Sequence, residues 1–183
     1  DISNAIRSRL SEERAAEPVE WPENREGILV RLRELVSHYT FGSQLPQDEE
    51  GVTILSVLDY LLRIEYAFAL VVIMVDMVRG ATFQEVYMDS LSTITSKVSA
   101  QFEALRTGIE KALSEPDVAT EQYQLVMRLE REVDEDNIVI CRQVSVATGG
   151  DSTFICYIMR KIVSELEHIS DHLKHVAEIL SQL

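Results

Sequence analysis

Ser164-Glu165-Leu166-Glu167-His168-Ile169-Ser170-Asp171-His172-Leu173-Lys174-His175-Val176-Ala177-Glu178-Ile179-Leu180 carries two patterns at once. Leu166, Ile169, Leu173, Val176 and Leu180 recur at three- and four-residue spacing, which at 3.6 residues per turn gathers them on one helical face. Glu167 and Asp171 stand four apart, so their carboxylates share another face of the same helix. With Glu167 at zero on a helical wheel, Asp171 falls at about 40° and the apolar stripe centres near about 230°. That wheel points both acids away from the core. The same spacing occurs 37 residues earlier, in Leu129-Glu130-Arg131-Glu132-Val133-Asp134. Two helices that each carry Glu-x-x-x-Asp along one side are what a surface metal site built from carboxylates requires.

The neighbouring residues extend the helical reading in both directions. Glycine (7) and proline (4) are scarce among 183 residues, which suits long helices joined by short turns. The expected helices run over about residues 1–14 (Ile2, Ile6, Leu10), 23–40 (Ile28, Leu29, Leu32, Leu35 and Val36 inward), 51–79, 82–113, 117–147 and from about 152 to the end. The third is apolar nearly all round, the mark of a helix covered on most sides. The fourth carries a long seam, Phe83, Tyr87, Leu91, Ile94, Val98, Phe102, Leu105 and Ile109. Gly80 stops the third helix, Thr82 and Glu85 have capping-box spacing, and Asp151 or Ser152 is the expected cap of the last. No stretch alternates as a strand would.

The chain reads as a repeat. Ser56–Arg63 aligns on Ser164–Asp171, and Glu23–Gly27 aligns on Glu130–Asp134 with a one-residue gap. The fold expected is therefore all-α: six helices in two repeated three-helix bundles, residues 1–80 and 81–183. In the first half Gly27 stands where the second has Asp134, and Arg63 where it has Asp171, so the acidic motifs there are degenerate. Arg63 is positioned to pair in cis with Asp59, supplying by itself the positive charge that a metal would supply in the second half.

Four nearby carboxylates, Glu130, Asp134, Glu167 and Asp171, repel by about 3 kcal/mol per close pair at an effective dielectric near 20. Basic neighbours, protonation or a cation must offset this, and Arg131, Arg160 and Lys174 are the basic candidates. Oxygen donors favour hard or borderline cations: iron, manganese or magnesium, with zinc also admissible. His168 and His172 have the i,i+4 spacing of a zinc pair, but hydrogen-bonded histidines beside an acidic face are the more economical reading. Glu165-x-x-His168 would need a second copy on another helix to form a buried di-iron centre, and the chain has none. There is no Gly-rich phosphate loop and no nucleophile elbow, so no enzymatic activity is expected.

A net charge of −14 argues against nucleic acid and against anionic membrane surface as main partners. Cys141 and Cys156 lie in helical patterns and read as free thiols in a reducing compartment. The apolar run from Ala67 to Val75 is too short to span a bilayer, which makes a cytoplasmic protein the simplest expectation. The sequence opens at Asp1 without a methionine, which leaves room for an upstream segment.

At Leu129–Asp134, at Leu166–His172 and at Ala177-Glu178 after it, the chain resembles the PhoU-like phosphate-uptake regulators, including the accessory proteins of Pit-type transporters. The family's usual wording is Glu-Arg-Ile-x-Asp-His, from which His168 departs. The resemblance implies two three-helix bundles and a cytoplasmic regulator or accessory of phosphate transport, peripheral to the membrane through a transporter. It also implies action by contact with a transporter or with its sensor or ATPase components, as a homo-oligomer, a dimer being expected. It further implies a multinuclear metal site, of iron, zinc, manganese or magnesium, carried onto Glu130, Asp134, Glu167 and Asp171. The rival readings are a metal-binding bundle that acts as enzyme or store, and a plain helical adaptor whose acids form a solvated face.

Overall fold

The computed structural model describes residues 25–41, 49–78, 85–147 and 153–182. The described residues form five helices and no strand: α1 (Arg25–Phe41), α2 (Glu49–Met77), α3 (Glu85–Lys111), α4 (Pro116–Ala147) and α5 (Phe154–Leu180). The described residues meet the all-α expectation; of the six helices expected, the first lies outside them. The helix expected over residues 1–14, Gly80 and Thr82 of the expected capping box lie outside the described residues.

α3, α4 and α5 pack on one another as a three-helix bundle, α2 packs on α5, and α1 touches only α2 among the described helices. Consecutive helices of the bundle run antiparallel. Lys97 on α3 reaches Asp136 on α4 at 2.8 Å, and Ser90 near the start of α3 donates to Gln143 near the end of α4 at 3.3 Å. Farther from that end, Lys174 on α5 meets Glu130 on α4. Leu91, Ile94 and Val98 of α3 meet Val126 and Val133 of α4 and Ile162, Leu166, Ile169 and Leu173 of α5, all fully buried. Each such side chain contributes about 1.5–3 kcal/mol by leaving water. One polar side chain is sealed among them: Gln101 Nε2 donates to the carbonyl of Val126 at 3.2 Å and to that of Ser170 at 3.5 Å, joining all three helices.

From Leu91 the α3 seam holds through Leu105 but not to its end; the side chains of Phe83 and Tyr87 lie outside what the structure describes. Ile109 is 52% exposed, while Gly108 is the buried position at that level. A Cβ on Gly108 would lie 2.4 Å from Cε1 of Tyr123, so α3 and α4 approach there at a distance that only glycine permits. The helix-period drift over several turns moves the inward position from 109 to 108. On α1, Leu29 is buried as expected, but Ile28 and Leu35 are exposed, and α1 has a single neighbour among the described helices.

The last helix is capped by Thr153 rather than by Asp151 or Ser152. Its side-chain oxygen accepts from the N–H of Cys156 at 3.3 Å, satisfying one of the donors left free at the helix start. α2 is also less covered than its composition suggested. Among the described helices it touches only α5 and α1, and Val52, Tyr66 and Ile73 are more than half exposed.

Candidate acidic site between α4 and α5

The four carboxylates singled out in the sequence fall on the facing sides of α4 and α5 and sense one another electrostatically. Their placement corrects the helical wheel. The side chain of Glu130 is 6% exposed, that of Glu167 24% and that of Asp171 35%, so the acids line a helix interface instead of a solvated face. The wheel assumed one buried stripe on the last helix. α5 is packed by three neighbours, and its buried arc widens to take in Glu165, Ser170 and Ala177 besides the apolar stripe.

Of the three basic candidates, Lys174 is the one bonded to the cluster. Its ammonium donates to Glu130 Oε1 at 2.5 Å and lies 3.6 Å from Asp171 Oδ1. The hydrogen bond to Glu130 leads the causes that hold the Lys174 pKa above its ordinary value. One ammonium among four carboxylates leaves negative charge in excess. Burial, then the Asp171 carboxylate, push the pKa of Asp134 up against the pull of Lys174. Burial and Asp171 likewise raise Glu167, opposed by His168. Asp134 Oδ1 is buried with no hydrogen-bond partner among the described residues.

Fit to a metal divides between chemistry and placement. Oxygen donors, uncompensated charge and the orphaned Asp134 oxygen suit a hard or borderline cation. Side-chain placement does not gather a ligand set: among the described residues no three His, Cys, Asp or Glu side chains converge on a metal position. The cation that the cluster does hold is the Lys174 ammonium.

The histidines lie on the neighbouring side of α5, toward α2. His175 Nδ1 is 2.7 Å from the carbonyl of Asp171, and its ring stacks on Tyr60 at 5.2 Å. His172 lies 5.5 Å from the same ring, and burial followed by Arg63 holds its pKa below the usual histidine value, so it is neutral near pH 7. His168 is 3.5 Å from Glu165, which also pairs with Lys161 at 3.1 Å. Between α2 and α5, Leu62, Arg63, Tyr66, Glu165, His168 and His172 line an open depression of about 340 Å³. In the first half Arg63 Nε does pair with Asp59 Oδ2, at 2.7 Å, with both side chains more than half exposed. Cys141 and Cys156 are free thiols, each half-buried.

Residues 96–180 match the family model of the PhoU domain. This part of the chain is a PhoU domain. It runs from within α3 to the last turn of α5 and contains Glu130, Asp134, Glu167, Asp171 and Lys174; α1 and α2 lie outside it. No curated protein and no solved structure matches the chain. Sequence reading placed the acids of the PhoU domain but missed that Glu130 is buried and that Gln101 locks its three helices. The spacing of Lys174 three residues after Asp171 was the visible signal for the ammonium's position. No local signal marked Tyr60, which reaches His172 and His175 from another helix.

Proposed function

We propose that the protein is a cytoplasmic regulator or accessory of phosphate transport that acts by contact with a transporter or with its sensor or ATPase components, without turnover of its own. The observation that carries this reading is the PhoU domain over residues 96–180, together with the acidic pairs inside it. Among the described residues no helix is long and apolar enough to cross a membrane, so contact with a transporter is made from outside the bilayer. In this reading the chain works as a dimer, and Glu130, Asp134, Glu167 and Asp171 respond to cations: iron, zinc, manganese or magnesium competes with the Lys174 ammonium for their oxygens. The donor chemistry and the unpartnered Asp134 oxygen support that part. The bond between Lys174 and Glu130 favours a second reading, a helical adaptor whose cluster is neutralised internally and needs no metal.

Crosslinked pull-down of the tagged protein from phosphate-replete and phosphate-starved host cells tests the function, with metal content measured on the same eluate. Enrichment of a phosphate transporter, its ATPase or its sensor is the expected result; absence of all of them in both conditions removes the proposal. Glu167→Ala combined with Asp171→Ala separates the two readings of the cluster. Metal lost with the fold intact supports the cation site, whereas metal content that the substitutions leave unchanged supports the adaptor.

A further inference from the structure

Val52, Asp59, Tyr66 and Ile73 of α2 stand seven apart, and Leu55, Leu62 and Ala69 each follow one of them by three residues. These are the a and d positions of a heptad, the period by which one helix lies along another. Val52, Tyr66 and Ile73 are more than half exposed, and Leu55, Leu62 and Ala69 are half-buried. Ile64, Phe68, Val71 and Val75 are buried in the core on the other side of the helix. α2 therefore carries two apolar faces, one buried and one open among the described residues. Two charged residues interrupt the open face. Arg63 Nε donates to Asp59 Oδ2 at 2.7 Å, and both side chains are more than half exposed. Among the described residues that pair uses one guanidinium nitrogen and one carboxylate oxygen, which leaves the terminal nitrogens of Arg63 for a second carboxylate and Oδ1 of Asp59 for a second cation. Glu65, the remaining charged residue between Val52 and Ile73, pairs with Arg25 of α1.

We propose that the open face of α2 joins two copies of the chain as an antiparallel helix pair about a two-fold axis. Charge selects the direction. A parallel pair would set Asp59 against the partner's Asp59 and Arg63 against the partner's Arg63, whereas an antiparallel pair brings unlike charges together. With the axis level with Tyr60 and Leu61, Val52 meets the partner's Ala69, Leu55 meets the partner's Tyr66 and Asp59 lies beside the partner's Arg63. The two-fold axis makes each of these contacts twice. The open face is electrically balanced, with one acid and one base between Val52 and Ile73, although each copy carries a net charge of −14. The depression beside it is balanced as well, since Glu165 pairs there with Lys161. A segment of the same chain is the poorer occupant. Val52 to Ile73 extends about 32 Å at about 1.5 Å per residue, whereas the helix expected over residues 1–14 would span about 21 Å. A second α2 matches the face in length and in charge.

The inference rests on the dimeric part of the proposed function and names its contact face; it does not depend on a phosphate transporter. Sedimentation velocity of the full chain tests it, and the parent is expected to be a dimer. Asp59→Arg and Arg63→Asp, each alone, put like charges at both junctions and should weaken the dimer about tenfold or more. Mixing the two variants in equal amounts should restore a dimer, now of unlike chains, because every junction then joins an acid of one chain to a base of the other. Val52→Ser with Tyr66→Ser should also weaken the dimer about tenfold or more. All of these side chains are exposed, and an unchanged far-ultraviolet circular dichroism spectrum confirms that each variant folds. A parent dimer that the charge reversals leave intact overturns this face and leaves the dimer itself standing. Reversed variants that stay monomeric when mixed do the same. A monomeric parent overturns the face and the dimer together and assigns the open face to another segment of the chain or to another protein; the phosphate reading is then decided by the pull-down alone.

Discussion

Glu130 and Lys174 make the most consequential polar contact in the molecule, because the carboxylate is almost wholly out of water and the ammonium is its bonded partner. Removing the partner leaves a buried charge uncompensated. Lys174→Met is therefore expected to lower unfolding free energy by about 3 kcal/mol, read by urea denaturation at neutral pH. Adding Glu130→Gln should restore most of the loss, since the charge that needed the ammonium is then gone. Asp134 has the opposite character. Its folded pKa lies above the reference value of 3.8, so the stability tied to this group is present below that value and fades as pH rises through the folded pKa. Asp134→Asn should accordingly stabilise the protein by about 1 kcal/mol at pH 7 in metal-free buffer. The advantage should vanish near about pH 3, where the parent residue is protonated as well. A variant that is less stable than the parent at pH 7 would contradict the charge-excess account of the cluster.

At the scale of elements, the geometry of α3 against α4 rests on a missing side chain. The ring of Tyr123 occupies the space that a Cβ on Gly108 would need, and Tyr123 is itself 4% exposed, so the ring has little room to retreat. Gly108→Ala adds helix propensity but forces the two helices apart or the ring off its rotamer. Overpacking of this kind should outweigh the propensity gain and cost about 2 kcal/mol, seen as a lower melting temperature. Pairing it with Tyr123→Ala should turn the penalty into a smaller, cavity-dominated loss. α5 is the element on which the others depend. Contact with three helices explains why its acids are half-buried and why its histidines find Tyr60 on α2.

At the scale of the whole molecule, the described helices are layered in order of dependence. The α3–α4–α5 bundle has its own core, α2 covers the α5 face next to it, and α1 reaches only α2. A chain starting at Glu49 should therefore keep the cooperative unfolding of the bundle. Among the described contacts of α1 it loses the burial of Leu29 and the Arg25–Glu65 ion pair. A decrease of about 2–3 kcal/mol is expected, with an unchanged near-ultraviolet spectrum; loss of the cooperative transition would mean that α1 supports more than α2.

Helices and acids were legible from local order alone. Periodic Leu166, Ile169, Leu173 and Val176 required a helix with one face inward, and all four are fully buried. The two Glu-x-x-x-Asp pairs required adjacent carboxylates, because spacing along a helix fixes which side chains share a face. The pairing of Arg63 with Asp59 was legible for the same reason. Burial was not, since it depends on how many neighbours a helix acquires. α2 was read as covered on most sides and has two neighbours among the described helices; the last helix was read with one buried stripe and has three. That count, which no spacing encodes, took Glu130 and Glu167 from the solvent to an interface and moved the inward position of α3 from Ile109 to Gly108. Sequence by itself determined the helices and the residues able to hold a cation. Tertiary packing decided that an ammonium from the same chain reaches them, because only the antiparallel pairing of two helices brings Lys174 across to Glu130, 44 residues away in the chain.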